Sequence, residues 1–504
     1  MKKKLSMLLT LSLIVCLLAA CAGTGGKKGE TTVFRFGVEG EFTSLSPLVG
    51  GQVGYGTMMA NGVYETLFVR ENNEIVGRLA TGYDWQDDNT LVIHLREGVK
   101  FHNGDDFTAD DVLFSICLYG KNPQYANRLT PIDYDASYAE DAHTVVLKTG
   151  HYSAVLVGNL TSELMLMLDR EWYDSLGGKI DQQANGTGPY CFQVWNMGTD
   201  FRIERNENYW NDSVKPYYDE IHAVFFNDAT TAVLEYESGT LDAVYVQAAA
   251  DIVNLQNGLI KDSWCVSERQ HNIVGLAMSD AVGTEFLNNR VREAICHAIP
   301  VEQLVSGVAG GVVSVQNSAI PDDDVAHVDM DYYEYDPEHA ASLIADEGPV
   351  KLTMVNVSNT INDAMAEAIQ AYLAKIGIEV QLVSGNPPDI IPKYMAGEVN
   401  FAINQSGGGS DPADIFASME RGGNPCAELN SEEVLSLLDE AKVVGTEQER
   451  MELYRQVQQK IHDEFLFLPL YATSTYFAVS NDIASFGIGV GHYPDPATFA
   501  PAEA

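Results

Sequence analysis

Apolar and polar positions along the chain follow two periods. Runs that mostly alternate, rich in Val, Ile, Phe and Thr, predict strands at Val33–Val38, Leu91–Leu95, Thr144–Leu147, Phe201–Glu204, Ile221–Phe226, Lys351–Val357, Ile378–Val383 and Asn400–Asn404. A helical period puts Val291, Ala294, Ile295, Ala298 and Ile299 on one face. Three further helices are announced by capping pairs. Thr108 and Asp111 precede Val112, Leu113 and Ile116. Thr360 and Asp363 precede Ala364, Ala368, Ile369, Tyr372, Leu373 and Ile376. Thr446 and Glu449 precede Met451, Tyr454, Val457, Ile461 and Phe465. Strands and helices interleave without a long linker or repeat. This predicts an α/β (mixed α+β) chain of several lobes, as its 504 residues also require.

The first residues break this pattern. Lys2, Lys3 and Lys4 lead into an apolar run, Leu5 to Leu18, interrupted only by Ser and Thr. As a helix it would be about 21 Å long, short of the roughly 30 Å bilayer core, which favours a secretory signal over a span. The run ends Leu18-Ala19-Ala20-Cys21. This resembles a bacterial lipobox, in which Cys21 is acylated; plain cleavage beside an incidental Cys is the alternative. A signal at residues 1–20 would be followed by a Gly-rich tether, 21–32, spanning at most about 36–40 Å. The expected location is therefore the extracytoplasmic face of the cell membrane.

Charge excludes more than it names. There are 71 acidic against 30 basic residues, a formal net charge of −41 that becomes −44 when the leader takes three lysines with it. No basic stripe exists to displace counterions, so nucleic acid is not an expected partner, and attraction to an anionic membrane is disfavoured. Five cysteines remain beyond Cys21: Cys117, Cys191, Cys265, Cys296 and Cys426. Their wide spacing excludes a Cys-x-x-Cys pair, and buried thiols are expected.

Catalytic patterns are missing from the chain. It has no G-x-S-x-G, H-E-x-x-H or G-x-x-x-x-G-K-[ST]. Gly487, Gly489 and Gly491 form G-x-G-x-G without the strand-to-helix context of a dinucleotide site. The pairs His94/His102 and His143/His151 lack metal-site spacing. The acidic run Asp322, Asp323, Asp324, Asp329, Asp331, Glu334 and Asp336 lacks the EF-hand pattern and reads as a solvated loop. No enzyme, cofactor or metal site is expected.

Six segments in register carry a resemblance: VKFHNGDDFTADDVLFSICL at Val99–Leu118; GTGPY from Gly186, Trp195 and RNENYW from Arg205; NRVREAICHAI from Asn289; Asp336-Pro337-Glu338; Gly377 to Val380 with Asp411-Pro412; and Leu453–Leu470 with Gln458, Ile461 and Pro469. Together these resemble the family 5 extracellular solute-binding proteins of ABC importers, the oligopeptide, dipeptide and nickel type. The resemblance implies a type II periplasmic-binding-protein-like fold, in which lobes close on solute about a two-crossing hinge. Lobe I would combine 31–66, 183–270 and 465–504; lobe II would be 67–182 and lobe III 271–464. The crossings would fall near Asn272–Leu276 and Leu468–Tyr471. The implied function is capture of a peptide or peptide-like solute by a lipid-anchored monomer that delivers it to ABC permease subunits. A metal chelate, a glycoside, or a surface sensor or adhesion role are the alternatives.

Peptide-binding members commonly carry an Asp four residues before the Pro of the Asp-Pro turn, where it pairs with the ligand amine. That position here is Gly408, within Gln405-Ser406-Gly407-Gly408-Gly409-Ser410-Asp411. Asp411 either substitutes for it or only caps the next helix. The expected ligand-binding residues are Glu41, Phe42, Thr43, Ser44, Gln405, Ser406, Gly408, Ser410, Asp411 and Tyr471.

Overall fold

The computed structural model describes residues 31–502 except 49–52, 72–73, 123–124, 281–282, 284, 408–410 and 422. The signal, Cys21 and most of the tether lie outside the described residues, as do Gly408 and Ser410. Among the described residues no helix is long and apolar enough to cross a membrane.

Three sheets organise the molecule. The largest has seven strands, in the order Ser263–Arg269, Ser474–Ser480, Ala243–Val246, Val33–Glu39, Glu220–Phe226, Asp200–Arg205 and Tyr190–Asn196. Val33–Glu39 runs parallel to both neighbours. A six-stranded sheet is ordered Ser314–Val315, Phe467–Ala472, Asn272–Met278, Phe401–Gly407, Lys351–Val357 and Glu379–Gly385. An antiparallel sheet of four joins Ala80–Asp87, Thr90–Leu95, Thr144–Thr149 and Ile132–Asp141. Each sheet has its own apolar core, with Phe34, Phe36 and Phe201 in the first, Leu276, Met354 and Phe401 in the second, and Leu91, Ile93 and Leu147 in the third. The type II periplasmic-binding-protein-like class expected from sequence is the class observed.

Helices form where the stripes require them. Helix Glu447–Asp463 starts at Thr446, whose side chain accepts the Glu449 N–H, and buries Met451, Tyr454, Val457 and Ile461 along one face. Each such side chain stabilises the fold by about 1.5–3 kcal/mol, so Val457→Asp would break this packing. Helix Ala109–Gly120 carries the expected Thr108–Asp111 box. The third cap differs. Asn359, not Thr360, caps helix Thr360–Lys375 by accepting the N–H groups of Ile361 and Asn362. Asp363 instead receives Ser358 and Asn356. Two adjacent cap-forming residues left the choice to backbone geometry.

The chain passes between the seven- and six-stranded sheets twice. Gln270 and His271 link Ser263–Arg269 to Asn272–Met278, and Thr473 links Phe467–Ala472 to Ser474–Ser480. Asn272–Leu276 and Leu468–Tyr471 therefore lie inside strands of the six-stranded sheet, and position 465 precedes the return passage. The passages are tied side by side. Asn272 Nδ2 donates to Thr473 Oγ1 at 2.8 Å, and the Thr473 N–H donates to Asn272 Oδ1 at 3.1 Å. Nearby, the acidic run is engaged rather than merely solvated. Asp324 pairs with buried His271 at 2.7 Å, Asp322 with Arg269, and Asp336 caps helix Pro337–Leu343. Of the described cysteines only Cys296 and Cys426 are buried; Cys265 is exposed, because its strand lies at the edge of the largest sheet.

Candidate functional site

The GTGPY segment explains how the four-stranded sheet is fixed to the largest one. A Cβ on Gly186 would stand 2.0 Å from the Val63 carbonyl oxygen, and one on Gly188 2.4 Å from that of Gly62. The glycines allow close backbone approach; neither has the positive φ that a tight turn would suggest. Between them Thr187 donates to buried Glu65 at 2.8 Å. The same carboxylate receives Arg78 Nε at 2.9 Å, the Tyr209 hydroxyl at 2.8 Å and Trp210 Nε1 at 2.8 Å. Four donors on two oxygens satisfy a group that would otherwise be costly to bury. His102 of the Phe-His-Asn-Gly segment closes the junction through the Gly188 carbonyl, to which its Nε2–H donates at 3.0 Å, while Nδ1 accepts the Gly186 N–H at 3.3 Å. Burial lowers this imidazole to about 4, which keeps it neutral.

Where the three sheet bodies meet lies a cavity of about 540 Å³. Arg70 and Arg78 line it from hairpin Phe68–Glu71/Glu74–Gly77 and the turn after it, and Tyr209 and Trp210 from the junction just described. Glu163 and Asp414 add acidic groups to its wall. The C-terminal loop supplies Gly489, Val490, Gly491 and His492. Asn61 holds that loop by donating to the carbonyls of Val490 and Tyr493 and accepting the Val490 N–H at 2.9 Å. The G-x-G-x-G motif thus shapes a cavity wall: a Cβ on Gly489 would meet Asn61 at 2.6 Å, and Gly491 has φ +68°.

Among the lining charges without an ion-pair partner in the described residues are Arg96 and Glu163. The Arg96 guanidinium sits 4.7 Å from the Trp210 ring centroid and donates through Nε to the Arg78 carbonyl. Glu163 receives a hydrogen bond from Ser162 at 3.3 Å, and burial pushes its carboxyl up. A half-buried acid and a stacked guanidinium in one cavity are suited to a solute carrying both charges.

The cavity is closed on one side by contacts between the four-strand and six-strand bodies. Arg70 Nη2 meets Asp411 Oδ2 at 2.9 Å, Arg128 pairs with Asp414, and the Ala154 N–H donates to the Lys442 carbonyl at 2.8 Å. Asp411 also receives Arg450 through both oxygens at 2.7 Å and caps helix Pro412–Phe416 by accepting the Ala413 N–H. Burial pushes this carboxyl up, but the Arg450 and Arg70 guanidiniums overrule it and hold it at about 2. Two smaller cavities, of about 270 and 350 Å³, lie along the same seam.

The residues singled out from sequence are distributed differently. Phe42 is buried among Tyr55, Trp195, Phe201 and Phe225. Ser44 donates to Asp181 at 2.7 Å. Glu41 accepts Trp195 Nε1 and the Gly198 N–H, both at 2.8 Å. Thr43 and Gln405 are exposed, Ser406 is buried against Ser418, and the Tyr471 hydroxyl donates to Asn362 at 2.6 Å inside the six-strand core. Of these, Asp411 alone lines one of the three cavities. Sequence reasoning missed Arg70, Arg96 and Glu163, whose shared cavity exists only through pairings such as Arg70–Asp411, 341 residues apart. Tyr209 and Trp210 stood in a quoted motif, but nothing local tied them to Glu65.

Known proteins share this architecture. The model for "Bacterial extracellular solute-binding proteins, family 5 Middle" matches residues 74–425, more than half of the chain. "Heme-binding protein A" of Haemophilus influenzae is 26% identical over 94% of this chain and 95% of its own length. "Dipeptide-binding protein" of Pseudomonas aeruginosa is 25% identical over 84% of this chain and 85% of its own. The solved structure of a dipeptide binding protein from Pseudoalteromonas sp. SM9913 with Met-Leu superposes with a TM-score of 0.80 at 21% identity, covering 93% of this chain and all of that one.

Proposed function

The chain belongs to the bacterial extracellular solute-binding proteins of family 5, and from that premise we propose that it captures a short peptide or peptide-like solute by hinge closure and delivers it to the permease of an ABC importer. The observation that carries this reading is the cavity of about 540 Å³ where three bodies meet, with Arg96 and Glu163 in its wall. That volume is within the usual range for small ligands. Arg96 would take the carboxylate of a zwitterion and Glu163 its amine, which relieves the lack of an acid at Gly408. Closure would turn on the paired passages at Gln270–His271 and Thr473. The three sheet bodies favour a division into lobes of the kind expected, with the return crossing at Thr473. Arg70–Asp411 and Arg128–Asp414 would belong to the closed form, since only contacts that differ between states let a ligand shift the equilibrium. Anchoring through acylated Cys21 and work as a monomer complete the proposal.

A second reading keeps the capture and changes the cargo. Gly408 favours it, as does the relative named for heme; a metal chelate or glycoside would then replace the peptide, and a sensor or adhesion role would replace transport. A thermal-shift screen separates the readings, using di- to octapeptides, N-acetylated peptides, Ni²⁺ chelates and oligosaccharides. The expected result is stabilisation by free-amine peptides, weakened by acetylation and by Glu163→Gln. Because burial raises the Glu163 carboxyl, binding of the ammonium should strengthen as pH rises and the acid ionises. Stabilisation by none of these probes at millimolar concentration would falsify solute capture as stated.

A further inference from the structure

Outside the cleft, the six-strand body brings together three side chains suited to a metal. Glu293 and His297 lie four apart on helix Asn289–Ala298, and therefore on one face. His339 lies on helix Pro337–Leu343, which packs against it. One ligand atom from each of the three falls within 4.8 Å of the others. His339 Nε2 is 3.9 Å from Glu293 Oε1, and the two imidazole centroids are 5.2 Å apart. We propose that Glu293, His297 and His339 form a binding site for a borderline divalent transition cation such as Zn²⁺, clamping these two helices together.

The surroundings fit a ligand set rather than a chance encounter. His297 Nδ1 lies 2.8 Å from the Glu334 carbonyl oxygen. A carbonyl can only accept, so Nδ1 carries the hydrogen and Nε2 keeps its lone pair. This is how an outer hydrogen bond fixes the tautomer and ring orientation of a metal-ligating histidine. The ring is further held by Tyr333 and Phe465, whose centroids are each 6.1 Å away. The second helix is fixed as well: Asp336 caps it through the Glu338 and His339 N–H groups and donates its own N–H to the His297 carbonyl at 3.0 Å. The Asp336-Pro337 turn thus sets His339 opposite His297. His297 also stands in the last turn of its helix, where the axial dipole favours positive charge.

Two imidazoles and one carboxylate, with a fourth position open to water, match a four-coordinate zinc set. Tetrahedral bonds of about 2.0–2.2 Å need ligand atoms closer together than 4.8 Å. His339 is exposed, and its side chain is free to swing inward by the difference. A hard cation seeking six to eight oxygens finds no such set here.

The test is a competition titration of the full chain with Zn²⁺ against a chromophoric chelator, beside His297→Gln and His339→Gln. The wild-type chain should take up a zinc equivalent that Ca²⁺ does not displace. Each substitution should weaken that equivalent by at least the loss caused by removing an outer partner, about 10–100-fold. Thermal melting should show a zinc-dependent rise in the wild type that both variants lack, while their melting without zinc and their response to cleft ligands stay unchanged. Absence of a bound equivalent at micromolar zinc, or an affinity unchanged in either variant, overturns the site.

Discussion

Glu65 and Asp411 are both buried carboxylates, and each is surrounded by donors, yet they serve opposite ends. Glu65 gathers Arg78, Thr187, Tyr209 and Trp210 at a junction where glycine backbones are in direct contact. Asp411 gathers Arg450 and the Ala413 N–H from its own body and Arg70 from across the seam. At the first site no donor can leave without exposing a buried charge. At the second, Arg450 and the helix cap remain when Arg70 departs. Under the proposed hinge closure, the same chemistry makes a permanent weld in one place and a releasable contact in the other. The number of donors retained after separation is what distinguishes them.

The weld should be the costlier to break. Glu65→Ala leaves Arg78 and three neutral donors without their acceptor, and we expect a loss of about 3–5 kcal/mol in urea unfolding. A loss below about 1 kcal/mol would show that the junction does not depend on this carboxylate. Arg450→Met comes next, at about 3 kcal/mol, because Asp411 keeps Arg70 and its cap. Hydrogen exchange should locate that loss in helix Pro412–Phe416 and its neighbours, and uniform loosening of all three bodies would contradict the comparison.

Arg70→Met should cost less stability than Arg450→Met, because Asp411 then keeps Arg450 on both oxygens and its helix cap. It should instead weaken affinity for the captured solute by about 5-fold, the scale of a small coupling energy. Small-angle scattering of the ligand-bound protein would report the larger radius of a less closed state. Equal affinity in variant and wild type would remove Arg70 from the closing contacts.

The smallest effect is in pH. Asp411 titrates at about 2 in the fold, below the ordinary carboxylate value of 3.8. A depressed acid contributes stability above its unfolded value and loses it as pH falls, here between about 4 and 2. The stability difference between wild type and Arg450→Met should shrink across that window, and a constant difference would deny the pairing its electrostatic origin.

Much of the secondary structure was legible because it depends on neighbours. The Thr108–Asp111 box and the stripe Met451, Tyr454, Val457, Ile461 are local patterns, and helices formed on them. Capping at 359–360 was legible only to within one residue, since Asn and Thr both serve as caps. Gly186 and Gly188 announced a constraint but not its kind: close approach and unusual φ select the same residue. The cavity was the least legible part. Arg96, Glu163 and the loop after Gly487 meet there through contacts such as those of Asn61 with Val490, 429 residues apart, and no spacing encodes them. The residues expected from sequence include Phe42 and Tyr471, which are buried in apolar cores, and Ser44, which donates to Asp181.

The order of the largest sheet also constrains how the molecule is made. Ser474–Ser480 lies between Ser263–Arg269 and Ala243–Val246, and among the described residues it is the only sheet neighbour of Ser263–Arg269. Val33–Glu39 waits in turn for Glu220–Phe226, with Val33 opposite Glu220. A chain emerging from its N-terminus can therefore assemble the four-stranded sheet early, but the largest sheet stays incomplete until nearly the last segment has appeared. Such long-range pairing is slow to form. It leaves the polypeptide without its largest folded unit during most of its synthesis.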